Sequence, residues 1–139
     1  CSGEYGNHGC YGGLMDNAFT YVMDNGICSE LSYGYTATKG TCEYNTCGTK
    51  YHITGCEDVL PSNELALREA VSKRPVSVAI EADSRSFQLY KSGIYNDPAC
   101  GTNLDHGVLL VGYGTMTGGD YYILKNNRYH EEVIQDKIS

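Results

Sequence analysis

The sequence predicts an α+β protein in which a helical, cysteine-rich half precedes a β-rich half, the change falling near residue 57. Three observations carry this. Apolar residues recur at helical spacing between Leu14 and Met23. After Pro75 the spacing shortens to two, with Val76, Val78 and Ile80 alternating with Ser77, Ala79 and Glu81. Cysteines stand at 1, 10, 28, 42, 47, 56 and 100, so all but the last precede the change.

Residues 1–13 are rich in Gly and Cys, have neither period, and read as loop. Leu14, Ala18, Tyr21 and Val22, flanked by Met15, Phe19 and Met23, form a broad apolar stripe that Asn25-Gly26 ends. A stripe of that width predicts a helix largely buried at the centre of its domain. Residues 28–55 are polar and carry three cysteines, which suits loops held by disulfides. Pro61-Ser62-Asn63 reads as a helix start, Leu67, Ala70 and Val71 as its buried face, and Arg74-Pro75 as its end. The alternation from Val76 is a strand. Residues 107–114 (G-V-L-L-V-G-Y-G) are a short apolar run bounded by glycines, consistent with a buried strand. Thr117-Gly118-Gly119-Asp120 is a turn, and Tyr121 to Lys125 is the returning strand. No internal repeat or low-complexity segment is present.

Composition narrows the function classes. A net charge of −7, from 10 basic and 17 acidic residues, argues against nucleic acid, whose phosphates need clustered Lys and Arg. No apolar run approaches the roughly 20 residues of a membrane helix, and no signal peptide is visible. No two cysteines make a C-x-x-C pair, which weakens zinc-ribbon and thioredoxin-like readings. Many Cys, 17 Gly and 13 Tyr instead suit an oxidised, loop-rich secreted or vesicular protein. No metal or other cofactor is expected.

His106 is the candidate catalytic side chain. It enters the predicted buried strand between Asp105 and Gly107, held rigidly yet able to open onto a cleft. Asn126 closes the returning strand of the same hairpin-like unit, so two adjacent strands could bring an imidazole and an amide together. Taken alone the signal is weak, because a lone histidine is more often structural.

The wider wording is more specific. G-C-Y-G-G-L-M-D at 9–16, S-Y-G-Y at 32–35, P-V-S-V-A-I-E-A at 75–82, F-Q-L-Y-K-S-G-I-Y at 87–95, L-D-H-G-V-L-L-V-G-Y-G at 104–114 and Y-Y-I-L-K-N at 121–126 occur in that order. In these segments the chain resembles the cathepsin L-like members of the papain family of cysteine peptidases, from Cys1 to Asn126. The resemblance implies a two-domain papain-like fold, incomplete at both ends here. Residues 1–57 would belong to the helical left domain and 58–127 to the antiparallel, β-barrel-like right domain. Residues 128–139 would be a tail foreign to the family.

It also implies roles. His106 would be the general base and acid, paired with a cysteine thiolate, and Asn126 would orient it. Asp105 would lend its backbone carbonyl to the substrate beside the scissile bond. Gly12 and Gly13 would offer bare backbone to an extended peptide. Leu14, Met15, Ala79 and Gly107 would line the pocket for the second residue before the cut, giving a hydrophobic preference. Plainer readings stand beside these: the two glycines could merely allow positive φ, Leu14 and Met15 could be core, and Ala79 an ordinary strand residue. The implied partners are peptide and protein substrates, with a propeptide or cystatin-like inhibitors. The implied setting is a monomer in a lysosome, a vacuole or the extracellular space.

Two departures matter. In papain-like enzymes the histidine and asparagine follow the reactive cysteine by about 130 to 150 residues, which places it about two dozen residues before Cys1. None of the seven cysteines has the G-S-C-W-type surroundings of that nucleophile. This polypeptide by itself is therefore not expected to hydrolyse peptides. After Asn126 the family reads S-W-G, whereas Asn127, Arg128 and Tyr129 stand here and the chain has no Trp. A frameshift, retained intron sequence or truncated clone is the expected origin of the tail.

By the same resemblance Cys1 pairs with Cys42, and Cys10 and Cys100 have partners outside these residues. Cys28 and Cys47 flank one loop region and are paired with each other. Cys56 is expected as a small buried hydrophobe. Two competing functions are an inactive papain-like homologue with a binding role and a small disulfide-rich binding module ending near residue 57. A Ser or Gly at the nucleophile position would mark the first. Autonomous folding and binding by residues 1–57 would mark the second.

Overall fold

The computed structural model describes residues 1–126 and the backbone of 132–134. The expectation for the tail at 128–139 otherwise falls outside the described residues. The chain forms two compact units, Cys1–Asp58 and Val59–Ser139.

In the first unit the regular element is α1 (Met15–Asn25). Short 3-10 turns at Ser2–Tyr5 and Gly9–Tyr11 precede it, and another lies at Tyr44–Thr46. The helix lacks a side-chain cap of its own, but the Leu14 N–H at its start donates to Asn7 Oδ1 at 2.9 Å. Gly26 ends it with φ 82, and its N–H donates to Val22 O. Two disulfides, Cys1–Cys42 and Cys28–Cys47, close the loops around the helix, with Cα separations of 5.0 and 6.0 Å. Both lie within bridging range. Tyrosines supply much of the packing. Tyr21 meets Tyr5 and Tyr44 edge-on at 5.5 and 6.2 Å, and Tyr5 donates to Asp24 Oδ2 at 2.9 Å.

Two expectations fail in this unit. None of the residues of α1 is buried; its apolar side is only half-covered. An apolar stripe reports which side of a helix prefers burial, not whether the residues present suffice to cover it. Cys56, expected inside, is exposed, on an irregular stretch that is neither helix nor strand.

The second unit is a helix-backed sheet. Helix α2 (Glu64–Lys73) starts at Asn63, whose Oδ1 accepts from Ala66 N at 3.0 Å, and stops before Pro75. It is followed by β1 (Val76–Ile80), the short α3 (Arg85–Gln88), β2 (Ile94–Tyr95), β3 (His106–Met116), β4 (Gly119–Lys125) and β5 (Glu132–Ile134). The sheet order is β1-β3-β4-β5-β2, antiparallel except where β2 meets β5. Its core joins Val71, Val78, Ile80, Phe87, Tyr95, Val108, Leu110, Tyr122 and Leu124, with Leu110 and Leu124 fully buried. The alternation Val78, Ile80 and Val108, Leu110 is what puts one face of each strand into that core. Helices beside an antiparallel sheet make this an α+β chain, as the change of period predicts. Neither α3 nor β2 is apparent from periodicity; each is too short to show one.

Candidate active site

His106 opens β3, and its Cα pairs with Ile80 at the end of β1. Asn126 follows the last residue of β4. Their approach depends on an irregularity. From the turn outward β3 and β4 pair Met116 with Gly119 through Gly112 with Ile123, and that register, continued, would set Asn126 against Leu109. Leu109 is three residues from His106 and therefore on the other face of the strand. A bulge between Leu110 and Gly112 absorbs one residue, so that Leu110 pairs with Leu124 and Leu109 with Lys125. Asn126 then falls beside Val108, on the face that His106 shares. Two positions along one face is a diagonal neighbour within reach of longer side chains.

The contact forms. His106 Nε2–H donates to Asn126 Oδ1 at 3.0 Å, the carboxamide oxygen having only lone pairs to offer. Asn126 is the one buried polar residue among those described, at 6% exposure, and His106 is half-buried. Burial of the amide shields this bond from competing water, which strengthens it and fixes the ring plane. A neutral ring carrying its proton on Nε2 keeps its basic lone pair on Nδ1. The pair can thus hold one tautomer of an imidazole ready to accept a proton.

Three further candidates lie on or next to β1 and β3. Ala79 pairs directly with Gly107 across β1 and β3, leaving little side-chain bulk on that rung. Asp105 precedes His106; its N–H donates to Ile80 O at 3.1 Å, and its Oδ1 accepts from Ala82 N at 2.7 Å. The side chain of Asp105 is thus engaged with the end of β1.

Gly12, Gly13, Leu14 and Met15 belong to the first unit. Gly12 has φ 95, a conformation other residues rarely adopt, and Gly13 lies where a Cβ would come within 2.2 Å of Asn7 Oδ1. Gly12 therefore has a conformational reason to be there and Gly13 a steric one, whatever else they do. Leu14 is 65% exposed and Met15 half-buried, so neither is core. Asn7 is a residue that motif reading passes over. It holds the glycine turn through Leu14 N–H and braces itself by donating to Ser2 Oγ at 3.1 Å. An Asn in a Gly-rich loop is the ordinary sign of such local bonding. Among the described residues no group of His, Cys, Asp and Glu could hold a metal ion, and no helix is long and apolar enough to cross a membrane.

Comparison with known proteins identifies the family. Residues 1–131 match the papain family cysteine proteases. Cathepsin L of Sarcophaga peregrina is 50% identical over 131 residues, covering 91% of this chain and 39% of its own length. Cathepsin S of Mus musculus is 49% identical over 134 residues, covering 91% of this chain and 38% of its own. The chain thus spans well under half the length of these relatives. Among solved structures, the bromelain protease from Ananas comosus in complex with the E64 inhibitor superposes with a TM-score of 0.85 at 37% identity, over 96% of this chain and 65% of that one. Digestive procathepsin L 3 of Tenebrio molitor larval midgut gives 0.84 at 38%, over 96% and 46%. Its fold is papain-like, and the chain belongs to the papain family of cysteine proteases.

Proposed function

We propose that these residues supply the histidine and asparagine of a cysteine endopeptidase that cleaves peptide bonds by a Cys-His-Asn mechanism. The observation that carries the reading is the buried amide of Asn126 accepting from His106 Nε2 at 3.0 Å. With Nε2 occupied, Nδ1 takes the proton of a cysteine thiol, and the thiolate attacks the scissile carbonyl. The imidazolium then protonates the leaving amine, and the neutral ring activates the water that releases the acyl group. The thiol belongs to polypeptide outside these 139 residues, so the chain alone is inactive. Residues 1–57 are read as part of the helical domain and 58–127 as part of the barrel-like domain.

Gly12 and Gly13 pair with the extended substrate, and Asp105 offers its carbonyl beside the cut. Leu14, Met15, Ala79 and Gly107 favour an apolar second residue before it. The partners are peptides and proteins, a propeptide and cystatin-like inhibitors, in a lysosomal, vacuolar or extracellular setting. One solved relative is bound to E64 and another is a procathepsin, which fits that range of partners.

The experiment is hydrolysis of peptides with Leu or Phe two residues before the cut, by a polypeptide that also carries the nucleophile. His106→Ala abolishes turnover, because the thiol loses the base that ionises it at neutral pH. Asn126→Ala costs less, since it removes orientation and leaves the proton acceptor. Full turnover by the His106→Ala protein would rule the assignment out.

A further inference from the structure

The loop that delivers His106 is fastened by two carboxylates that cross. Between β2 and β3 the chain runs through residues 96–105 without forming a helix or strand. Such a segment, left to itself, samples many conformations, and whatever orders it must offset that entropy. Asp105, on the loop, accepts from Ala82 N at 2.7 Å, just beyond β1. Glu81, just beyond β1, accepts in turn from Asn103 N on the loop, with Oε2 at 3.1 Å. Each carboxylate thus holds the backbone of the other segment, and both lie within one or two residues of the Ile80–His106 pair. Gly101 makes room for the second of them: a Cβ there would lie 2.5 Å from Glu81 Oε2.

We infer that Glu81 is a positioning residue for His106, acting through Asn103 and the loop to hold the ring in line with Asn126. The inference rests on the reading of His106 and Asn126 given above. Hydrogen bonds to a charged acceptor are stronger than neutral ones, and this one is made in the segment immediately before the ring. With Asp105 alone, residues 103–105 are fastened to the end of β1 only at their last residue, Asp97 being held separately by Ser86 at the far end of the loop. With Glu81 as well, the three residues before His106 are tied at both ends, and the backbone that carries the imidazole enters β3 along one path. A glycine at 101 and an acid at 81 would then be parts of one device, although twenty residues separate them in sequence.

The test is ring-nitrogen NMR of His106 in this chain, with thermal unfolding recorded on the same samples. The parent is expected to show a single neutral form protonated on Nε2. In Glu81→Ala the Nε2 proton exchanges with water roughly tenfold faster, the factor expected when one charged hydrogen bond holding the loop is lost. Gly101→Ala reproduces that change by displacing the carboxylate, while Glu81→Gln, which keeps an oxygen acceptor, restores most of the parent signature. A brace with no bearing on the ring would lower the unfolding temperature and leave the His106 signals as they were. That outcome, or a Gln variant no better than Ala, overturns the inference. Should Glu81→Ala not fold, the contrast between Glu81→Gln and Gly101→Ala decides it in the same way. A parent ring lacking the Nε2-protonated form would instead count against the histidine–asparagine reading itself.

Discussion

The two units are ordered by different means. The second buries nine side chains in one continuous core beneath its sheet, two of them fully. In the first, Cys47 is the only buried hydrophobic residue, and two disulfides and a group of edge-packed tyrosines do the rest. An apolar helical stripe and an apolar strand look alike in hydrophobicity. Only in the second unit do the residues present bring enough partners to enclose them. The lesson is that periodicity states a demand for burial, and neighbours decide whether it is met.

Reduction of the disulfides should break this comparison most sharply. In the chain-entropy view the Cys1–Cys42 loop contributes about 4 kcal/mol and the Cys28–Cys47 loop about 3 kcal/mol, from sequence separations of 41 and 19. With so little core to fall back on, residues 1–58 should lose amide-exchange protection under reductant while β1, β3 and β4 keep theirs. Equal loss in both units would show that the second also depends on the disulfides.

Leu110→Ala is the reciprocal case. Leu110 is fully buried at the centre of β3, and truncation there leaves a cavity costing about 2–5 kcal/mol. Denaturant unfolding followed separately in each unit should place that loss in the second and spare the first.

The smallest effect is electrostatic. The Thr115 hydroxyl donates to Asp120 and, with Arg68 beside it at 2.9 Å, holds the carboxyl below its ordinary pKa. A folded pKa below the unfolded one means stability that is complete above the unfolded value, about 3.9, and lost as the pH falls through the folded value. A carboxyl titration of Asp120 by NMR should show that low midpoint moving upward in Thr115→Ala. An unmoved midpoint would leave the hydroxyl without the part given to it.

Much of the second unit was legible because its patterns are long and unambiguous. Asn63 before Leu67, Ala70 and Val71 marks a capped helix, and Val76 to Ile80 alternates cleanly. The family wording singled out His106 and Asn126. The bulge that puts them on one face was not legible. In G-V-L-L-V-G-Y-G every position is apolar or glycine, so no alternation reveals that one residue is extra. Glu81 and Gly101 were likewise invisible as a pair, since their contact is made by a loop with no period. Cys56 and α1 depart from expectation for a common reason: hydrophobic character does not by itself bring enclosure.

The histidine–asparagine pair itself is open to one decisive measurement, the protonation state of each His106 ring nitrogen in the parent and in Asn126→Ala. The 3.0 Å bond from Nε2 predicts that the neutral form of the parent ring carries its proton on Nε2, with the Nδ1-protonated tautomer growing when the amide is removed. A parent ring protonated on Nδ1, or a ring indifferent to the loss of Asn126, would contradict it.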